Sequence, residues 1–356
     1  MLFNLWARLS YFFKDFSLYL FLIFASLAIF LFLLYRIFKS TLPQTRKKFY
    51  FSLVSTFLIF VLTYSFFEAY FRYVYDESDG LGFLKVDNRW HQRHVVYNSY
   101  FFRDRDFEPI KKEQITRIGV LGDSIALGGG IKDVNNRFSN LLEKKLRDVG
   151  KNVEVYNLGK SGYDTYGEVK VYENVQGLGF DILVWEYFIN DVQPPQSTGT
   201  PILQRNSQKG KIITFFSDRS FFFDYVYWRL SAKYQKTFQE LKTADIAQYS
   251  NDQVITNHKK DIKNFIEILK KDNTKIVVII FPSIFLLGSD YPSNIHQMMR
   301  EYFNENGVDA TIDLLADLKD MNKKELMASR FDPHPNEFVH KIAAERIFDQ
   351  IMPLLK

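Results

Sequence analysis

Two short stretches of the chain carry the residue types of a nucleophile and its base. Ser124 ends the tripeptide Gly122-Asp123-Ser124, and His334 lies in the segment Asp332-Pro-His-Pro. A serine hydroxyl becomes a useful nucleophile when a base takes its proton, and histidine titrates near neutral pH. Prolines after Asp332 and His334 favour extended backbone, in which residues two apart point to the same side. The Asp332 carboxylate is therefore expected to reach an imidazole nitrogen of His334.

Apolar runs predict the strands that must position these residues. The predicted strands are Ile118–Leu121, Val153–Leu158, Asp181–Tyr187, Lys275–Phe281 and Thr311–Leu315. Helical patterns alternate with them, which favours right-handed βαβ units and a mainly parallel sheet. Ligands of such sheets bind outside the carboxyl ends of the strands. Ser124 follows the first predicted strand directly, so it is expected at that edge.

Two further segments complete a resemblance to a known family. Asn157–Asp164 reads NLGKSGYD and Phe188–Asp191 reads FIND, and each comes at or after the end of a predicted strand. In this order with the GDS and DPHPN segments, they resemble the four blocks of the SGNH, or GDSL, hydrolases, over about residues 115–356. The resemblance implies a flavodoxin-like three-layer α/β/α SGNH hydrolase fold, with a mainly parallel sheet.

The resemblance also implies roles for individual residues. Ser124 would be the nucleophile, His334 the base and Asp332 the acid that orients it. The backbone N–H groups of Ser124 and Gly162 and the side chain of Asn190 would form the oxyanion hole. Taken alone, Ser124 also fits a helix cap and Asn190 a turn residue.

The chain departs from the family pattern at two places. Where the family has Gly-x-Asn-Asp, this chain has Phe188 at the glycine position, which is expected to narrow the pocket and leaves Asn190 in register. The family often spaces its acid and base as Asp-x-x-His, whereas here they are Asp-x-His. The triple glycine 128–130 lacks the spacing of a nucleotide-binding loop and is predicted to be a flexible turn beside the pocket.

Two uncharged segments before this region predict a transmembrane hairpin. Residues 16–35 and 49–67 are each about as long as a membrane-spanning helix needs to be. The loop between them is basic and has no acid, which places it in the cytoplasm by the positive-inside rule. We therefore predict a membrane region over 1–80 in the cell (inner) membrane, and a C-terminal domain on the periplasmic or extracellular side. Residues 2–16 fit either an interfacial helix or the start of the first spanning helix.

The remaining segments carry weaker signals. Residues 81–114 are predicted to be a connector, with His91 and His94 in a solvated loop or strand and a run of paired surface charges at 103–106. An aromatic-rich insertion over about 194–257 is too long for a plain connector. It fits an acyl or sugar subsite, a membrane-facing surface or a small packed subdomain. His258, His296 and His340 are predicted to be surface residues.

Composition narrows the function. The absence of cysteine excludes disulfides, cysteine nucleophiles and cysteine–zinc sites, and the net charge of +5 comes without a basic stripe for nucleic acid. The expected chemistry needs no cofactor or metal. The sequence predicts a membrane-anchored serine esterase acting on O-acyl, chiefly O-acetyl, esters of an envelope glycan or lipid. An O-acyltransferase acting on an envelope polysaccharide and an inactive envelope-binding module are the alternatives, and the hairpin could also dock a membrane partner.

Overall fold

The computed structural model describes residues 2–192, 199–288 and 290–355. The chain divides into two compact units. The first contains the N-terminal segment as far as Tyr75 together with Phe215–Asp224, and the second contains Asp76–Thr214 and the chain from Tyr225 onward.

The first unit is built on a helical hairpin. Helix α1 spans Leu2–Lys39 and helix α2 spans Gln44–Ala69, followed by a π-helical turn over Tyr70–Val74. Two segments are long and apolar enough to cross a membrane: Tyr19–Lys39 within α1, and Gln44–Val74, which is α2 with the π-helical turn. None of their most apolar residues is buried in the protein. The predicted hairpin is present as two apolar helices of spanning length. The backbone of residues 2–16 continues into α1 without a break, so that segment begins the same helix.

A buried carboxylate holds the distant segment of this unit to α2. Glu68 accepts hydrogen bonds from the Ser220 hydroxyl at 2.6 Å and from the backbone N–H groups of Phe221 and Phe222 at 3.1 and 3.0 Å. Phe222 also stacks on Phe67, with ring centroids 5.0 Å apart. Part of the aromatic cluster of the insertion therefore packs on the end of α2.

A five-stranded parallel sheet forms the centre of the second unit. Its strands are β1 (Thr116–Leu121), β2 (Val153–Asn157), β3 (Ile182–Tyr187), β4 (Lys275–Ile280) and β5 (Ala310–Asp313). They lie in the order β2-β1-β3-β4-β5, and every neighbouring pair is parallel. This is the flavodoxin-like order, whose direction switches between β1 and β3 and leaves a crevice at their carboxyl ends.

Helices cover both faces of this sheet. The helices of the unit, including those that share residues with the first unit, are α3 (Lys85–His94), α4 (Ser124–Leu127), α5 (Phe138–Asp148), α6 (Thr165–Val175), α7 (Gly199–Ser207), α8 (Lys211–Arg219), α9 (Phe221–Leu230), α10 (Ala232–Gln248), α11 (Asp252–Lys271), α12 (Ser293–Glu305), α13 (Leu315–Leu318) and α14 (Glu337–Ile351). Apolar residues of α5 and α14 pack on one face, and those of α6, α11 and α12 pack on the other. The predicted three-layer α/β/α fold is confirmed, and the predicted strand ends differ from the observed ones by no more than two residues.

A second, two-stranded sheet carries the predicted acid and base. Strand β6 spans Met327–Ser329 and pairs antiparallel with β7, which spans Asp332–Pro335. The extended backbone expected of the DPHP segment is present.

Three predictions about histidines are wrong. His258, His296 and His340 are buried, with 6, 3 and 0% of their surfaces exposed, rather than at the surface. His258 bonds to the Tyr187 hydroxyl at 2.8 Å, and His296 bonds to the Asp313 carboxylate at 2.7 Å. His340 accepts the backbone N–H of Phe138 on α5 at 3.2 Å. All three partners lie on other elements, so the helical patterns around the histidines could not reveal them.

The predicted connector also differs from expectation. His91 and His94 lie on helix α3 and not in a loop or strand. Arg103, expected in a surface run of charges, is buried and donates hydrogen bonds to the carbonyl oxygens of Gly128 and Ile131 at 2.7 and 2.6 Å. The guanidinium thereby satisfies backbone acceptors in the glycine turn that follows α4.

Candidate active site

Ser124 lies in a tight turn between β1 and the short helix α4, and we call residues 122–124 the nucleophile turn after the predicted role of Ser124. Asp123 caps that helix, because its carboxylate accepts the N–H of Ile125 at 2.7 Å. Ser124 is the first residue of α4, and the first N–H groups of a helix have no partner within it. At Gly122, a Cβ atom would lie 2.3 Å from Oε2 of Glu186, so only glycine fits the turn.

The hydroxyl of Ser124 lies within hydrogen-bonding distance of the predicted base. Nε2 of His334 is 2.8 Å from Oγ of Ser124. On the other side of the ring, Nδ1 of His334 bonds to Oδ1 of Asp332, which also accepts the backbone N–H of His334 at 3.1 Å. The structure thus brings together the three residues predicted from two separate segments, despite the short Asp-x-His spacing.

Asp332 and His334 shift each other's pKa values. Desolvation favours a neutral Asp332, but the charge of His334 and hydrogen bonds from His334 and Ser78 hold the pKa of the carboxyl below its usual value. Desolvation also opposes a charged His334, yet the Asp332 carboxylate outweighs it and raises the pKa of the imidazole. His334 is thereby suited to take a proton from Ser124 and to hold it as an imidazolium ion.

The triple glycine packs against this pair. A Cβ atom at Gly129 would lie 3.1 Å from Cγ of His334, and one at Gly130 would lie 3.1 Å from Oδ2 of Asp332. Gly128 and Gly130 also have φ values of 81°, in the left-handed region that favours glycine. These glycines allow the turn to approach the imidazole and the carboxylate closely.

Asn190 lies beside the nucleophile turn, as its predicted role requires. Its Nδ2 donates to Oδ2 of Asp123 at 3.2 Å, and the same nitrogen carries a second N–H donor. The bond to Asp123 fixes the orientation of the side chain. An oxyanion-hole donor needs this kind of preorganisation.

Gly162 lies in the loop that follows β2. This loop is docked on the nucleophile turn, because the N–H of Lys160 donates to the carbonyl of Gly122 at 3.0 Å. Gly162 has a φ of 77°, and a Cβ atom there would meet no atom within 4 Å. Glycine is therefore favoured by its backbone conformation and not by a close neighbour. Among the described residues, no hydrogen bond of its N–H is found.

Buried carboxyl groups below the nucleophile turn were not expected from the sequence. Glu186 accepts the N–H of Asp123 at 3.0 Å, and Glu168 accepts the indole N–H of Trp185 at 2.7 Å. Burial, followed by the charge of neighbouring carboxylates, raises the pKa of Glu168, Glu186 and Asp191 well above the usual values. The one sequence signal was an acid, Glu186, that directly follows four apolar residues inside the predicted strand.

Ser78 is a second residue that the sequence did not single out. Its hydroxyl donates a hydrogen bond to Oδ2 of Asp332, 254 positions further along the chain. Within the described part of the chain, no group of three or more His, Asp or Glu side chains is arranged to hold a metal ion.

Comparisons with known proteins give distant structural matches alone. No protein-family model matches the chain, and no curated protein does. The crystal structure of TesA aligns with 67% of this chain and 100% of its own, at 14% identity and a TM-score of 0.41. The psychrotrophic esterase EstA from Pseudoalteromonas sp. aligns with 67% of this chain and 98% of its own, at 13% identity and a TM-score of 0.39. At these identities and TM-scores, the alignments carry no evidence about activity or substrate.

Proposed function

We propose that this chain is a membrane-anchored serine esterase that hydrolyses O-acyl esters through an acyl-serine intermediate. The observation that carries the proposal is the continuous hydrogen-bonded series from Ser124 through His334 to Asp332, with 2.8 Å between Oγ and Nε2. The resemblance of the four sequence segments to the SGNH hydrolases supports the same chemistry.

The proposed reaction has two steps. Oγ of Ser124 attacks the ester carbonyl while Nε2 of His334 takes the hydroxyl proton. The resulting oxyanion is held by the N–H groups of Ser124 and Gly162 and the carboxamide of Asn190. The intermediate then releases the alcohol, which receives the proton from His334. In the second step, water gives a proton to His334 and attacks the acyl-serine. His334 returns that proton to Oγ of Ser124 as the carboxylic acid leaves, which restores the hydroxyl.

The membrane setting supports the proposed location and substrate class. The helical hairpin has two stretches of spanning length, and its basic loop favours the cytoplasmic side. The second unit is then on the periplasmic or extracellular side of the inner membrane. For that location we propose O-acyl, chiefly O-acetyl, esters of an envelope glycan or lipid as the substrates. The alternative function, O-acyl transfer to an envelope polysaccharide, would use the same three residues. In its second step a sugar hydroxyl, instead of water, would attack the acyl-serine.

Activity on p-nitrophenyl esters from acetate to octanoate tests the proposal. The full chain in detergent is compared with Ser124→Ala and His334→Ala, and with Ser250→Ala and His91→Ala as matched controls at exposed positions. We expect both site variants to lose nearly all activity, while the control variants keep it. A folded wild-type chain without esterase activity, or site variants as active as the controls, would contradict the proposal. Product analysis with and without a glycan acceptor distinguishes hydrolysis from acyl transfer.

A further inference from the structure

The segment that leaves the helical hairpin lies against the predicted acid. We call residues 76–84 the strap. They begin directly after Tyr75, where the first unit ends, and they belong to the second unit. The Gly80 N–H donates to the carbonyl of Phe331 at 2.9 Å, and a Cβ atom at Gly80 would lie 2.8 Å from Cδ of Pro333. The strap is thus packed on the strand that carries Asp332.

The strap is itself firmly held. Asp79 accepts the N–H groups of Leu81 and Leu84 at 2.9 and 2.6 Å. The Asp79 carboxylate and the carbonyl of Phe331 share the single hydroxyl proton of Tyr234, whose oxygen lies 2.6 Å from that carbonyl. Ser329 donates to the carbonyl of Ser78 at 3.2 Å. These bonds fix the backbone of Ser78 relative to β6 and β7.

Ser78 occupies the one carboxylate oxygen that His334 leaves open. Oδ1 of Asp332 accepts both the imidazole and the backbone N–H of His334, whereas Oδ2 accepts the hydroxyl of Ser78. Asp332 is 1% exposed and Ser78 is 5% exposed, so solvent offers little replacement. Without this hydroxyl, a buried, charged oxygen would lose its donor, and the bonds from His334 would be the only ones among the described residues that still hold the carboxylate.

We propose that Ser78 is a positioning residue that fixes the Asp332 carboxylate against His334, so that the segment following the membrane hairpin completes the active site. This inference rests on the proposed function, because it assigns Ser78 a part in activating Ser124. It also means that a fragment beginning at residue 81 lacks part of the site.

Removal of the Ser78 hydroxyl has a predictable effect on pH dependence. The hydroxyl dipole spreads the negative charge of Asp332, so its loss strengthens the attraction between Asp332 and the imidazolium form of His334. The pKa of His334 then rises, and the acidic limb of the reaction moves to higher pH. Asp79, Asp123, Lys242 and His340 also interact electrostatically with Asp332 or His334. Substitution of Ser78 changes none of these four residues.

The test measures how fast a fluorophosphonate probe labels Ser124 in the full chain, across the pH range in which histidine titrates. Labelling forms an Oγ–P bond, expels fluoride and gives the hydroxyl proton to His334, so it reports nucleophile activation without a known substrate. We expect Ser78→Ala to label about tenfold more slowly or worse, with its acidic limb at higher pH. Ser78→Thr, which keeps a hydroxyl, should recover most of the rate.

Ser329→Ala is the matched control, because it loosens the strap without removing a donor to Asp332. It should keep the wild-type pH profile even if its melting temperature falls. Wild-type labelling with an unshifted profile in Ser78→Ala overturns the role of Ser78 alone. Equal losses in Ser78→Ala and Ser329→Ala that follow their melting temperatures also overturn it. If the folded wild-type chain is not labelled at Ser124, the proposed function fails and the role of Ser78 fails with it.

Discussion

Substitution of Gly129 by alanine should disturb the base without disturbing the fold. A Cβ atom there would lie 3.1 Å from Cγ of His334 and 3.2 Å from Cδ2 and Nδ1, where ordinary contact begins at about 3.4 Å. The similar distances to three ring atoms place the methyl group over the imidazole face. The backbone at Gly129 lies outside the left-handed region, so alanine introduces no φ strain. The imidazole must therefore move by about 0.3 Å.

That displacement sets the size of the effect. A misplacement of about 1 Å at a reacting group can cost about 100-fold in rate, so a shift of about 0.3 Å should cost roughly fourfold to tenfold. This corresponds to about 0.8–1.4 kcal/mol of transition-state stabilisation. The assay is kcat/KM for p-nitrophenyl acetate, with the melting temperature measured on the same samples.

Gly177→Ala provides the matched control. A Cβ atom at Gly177 meets no atom within 4 Å, and its φ is not positive. We expect this variant to keep wild-type activity, and both variants to keep a wild-type melting temperature within a few degrees. Wild-type kcat/KM in Gly129→Ala would refute the idea that this turn sets the position of the imidazole.

Two further predictions follow from the charges of the site. The pKa of His334 is raised above its ordinary value of 6.5, and this residue must be neutral to act as a base. We therefore expect kcat/KM to fall as pH falls, with a midpoint above pH 6.5. A midpoint below pH 6.5 would contradict the influence assigned to Asp332. Burial, followed by the charges of Asp123 and Asp191, raises the pKa of Glu186 above its ordinary value of 4.5. The folded chain therefore keeps a proton on Glu186 that the unfolded chain loses, and the stability of the fold decreases as pH rises above 4.5. Glu186→Gln, which can still accept the N–H of Asp123, should flatten the fall of melting temperature with rising pH, and an unchanged slope would show that Glu186 does not hold that proton.

Much of the fold could be predicted because its signals are local. The buried parallel strands are short apolar runs, and they alternate with helices whose apolar residues recur at helical spacing. The signals for β6 and β7 were weaker, because prolines and polar residues dominate the DPHP segment. Helix α3 was missed because its residues are mostly polar, although Trp90 on it is buried.

The core of the candidate site could also be predicted, because Ser124, Asp332 and His334 lie in short segments with a recognisable pattern. The supporting contacts could not be predicted. Ser78 meets Asp332 across 254 positions of the chain, and nothing near Ser78 indicates that contact. The buried histidines were misplaced for the same reason, since His258 and His296 find their partners on Tyr187 and Asp313. Such tertiary contacts leave no periodic pattern in the sequence.

The most direct test of the account is to locate the covalent acyl group by mass spectrometry. The full chain is mixed with p-nitrophenyl acetate, quenched in acid before deacylation is complete, and digested. Nucleophilic catalysis by Ser124 predicts an acetyl group on the peptide that contains this residue, its absence in Ser124→Ala and a strong reduction in His334→Ala. An acetyl group confined to another residue, or equal acetylation of Ser124 without His334, would contradict the account.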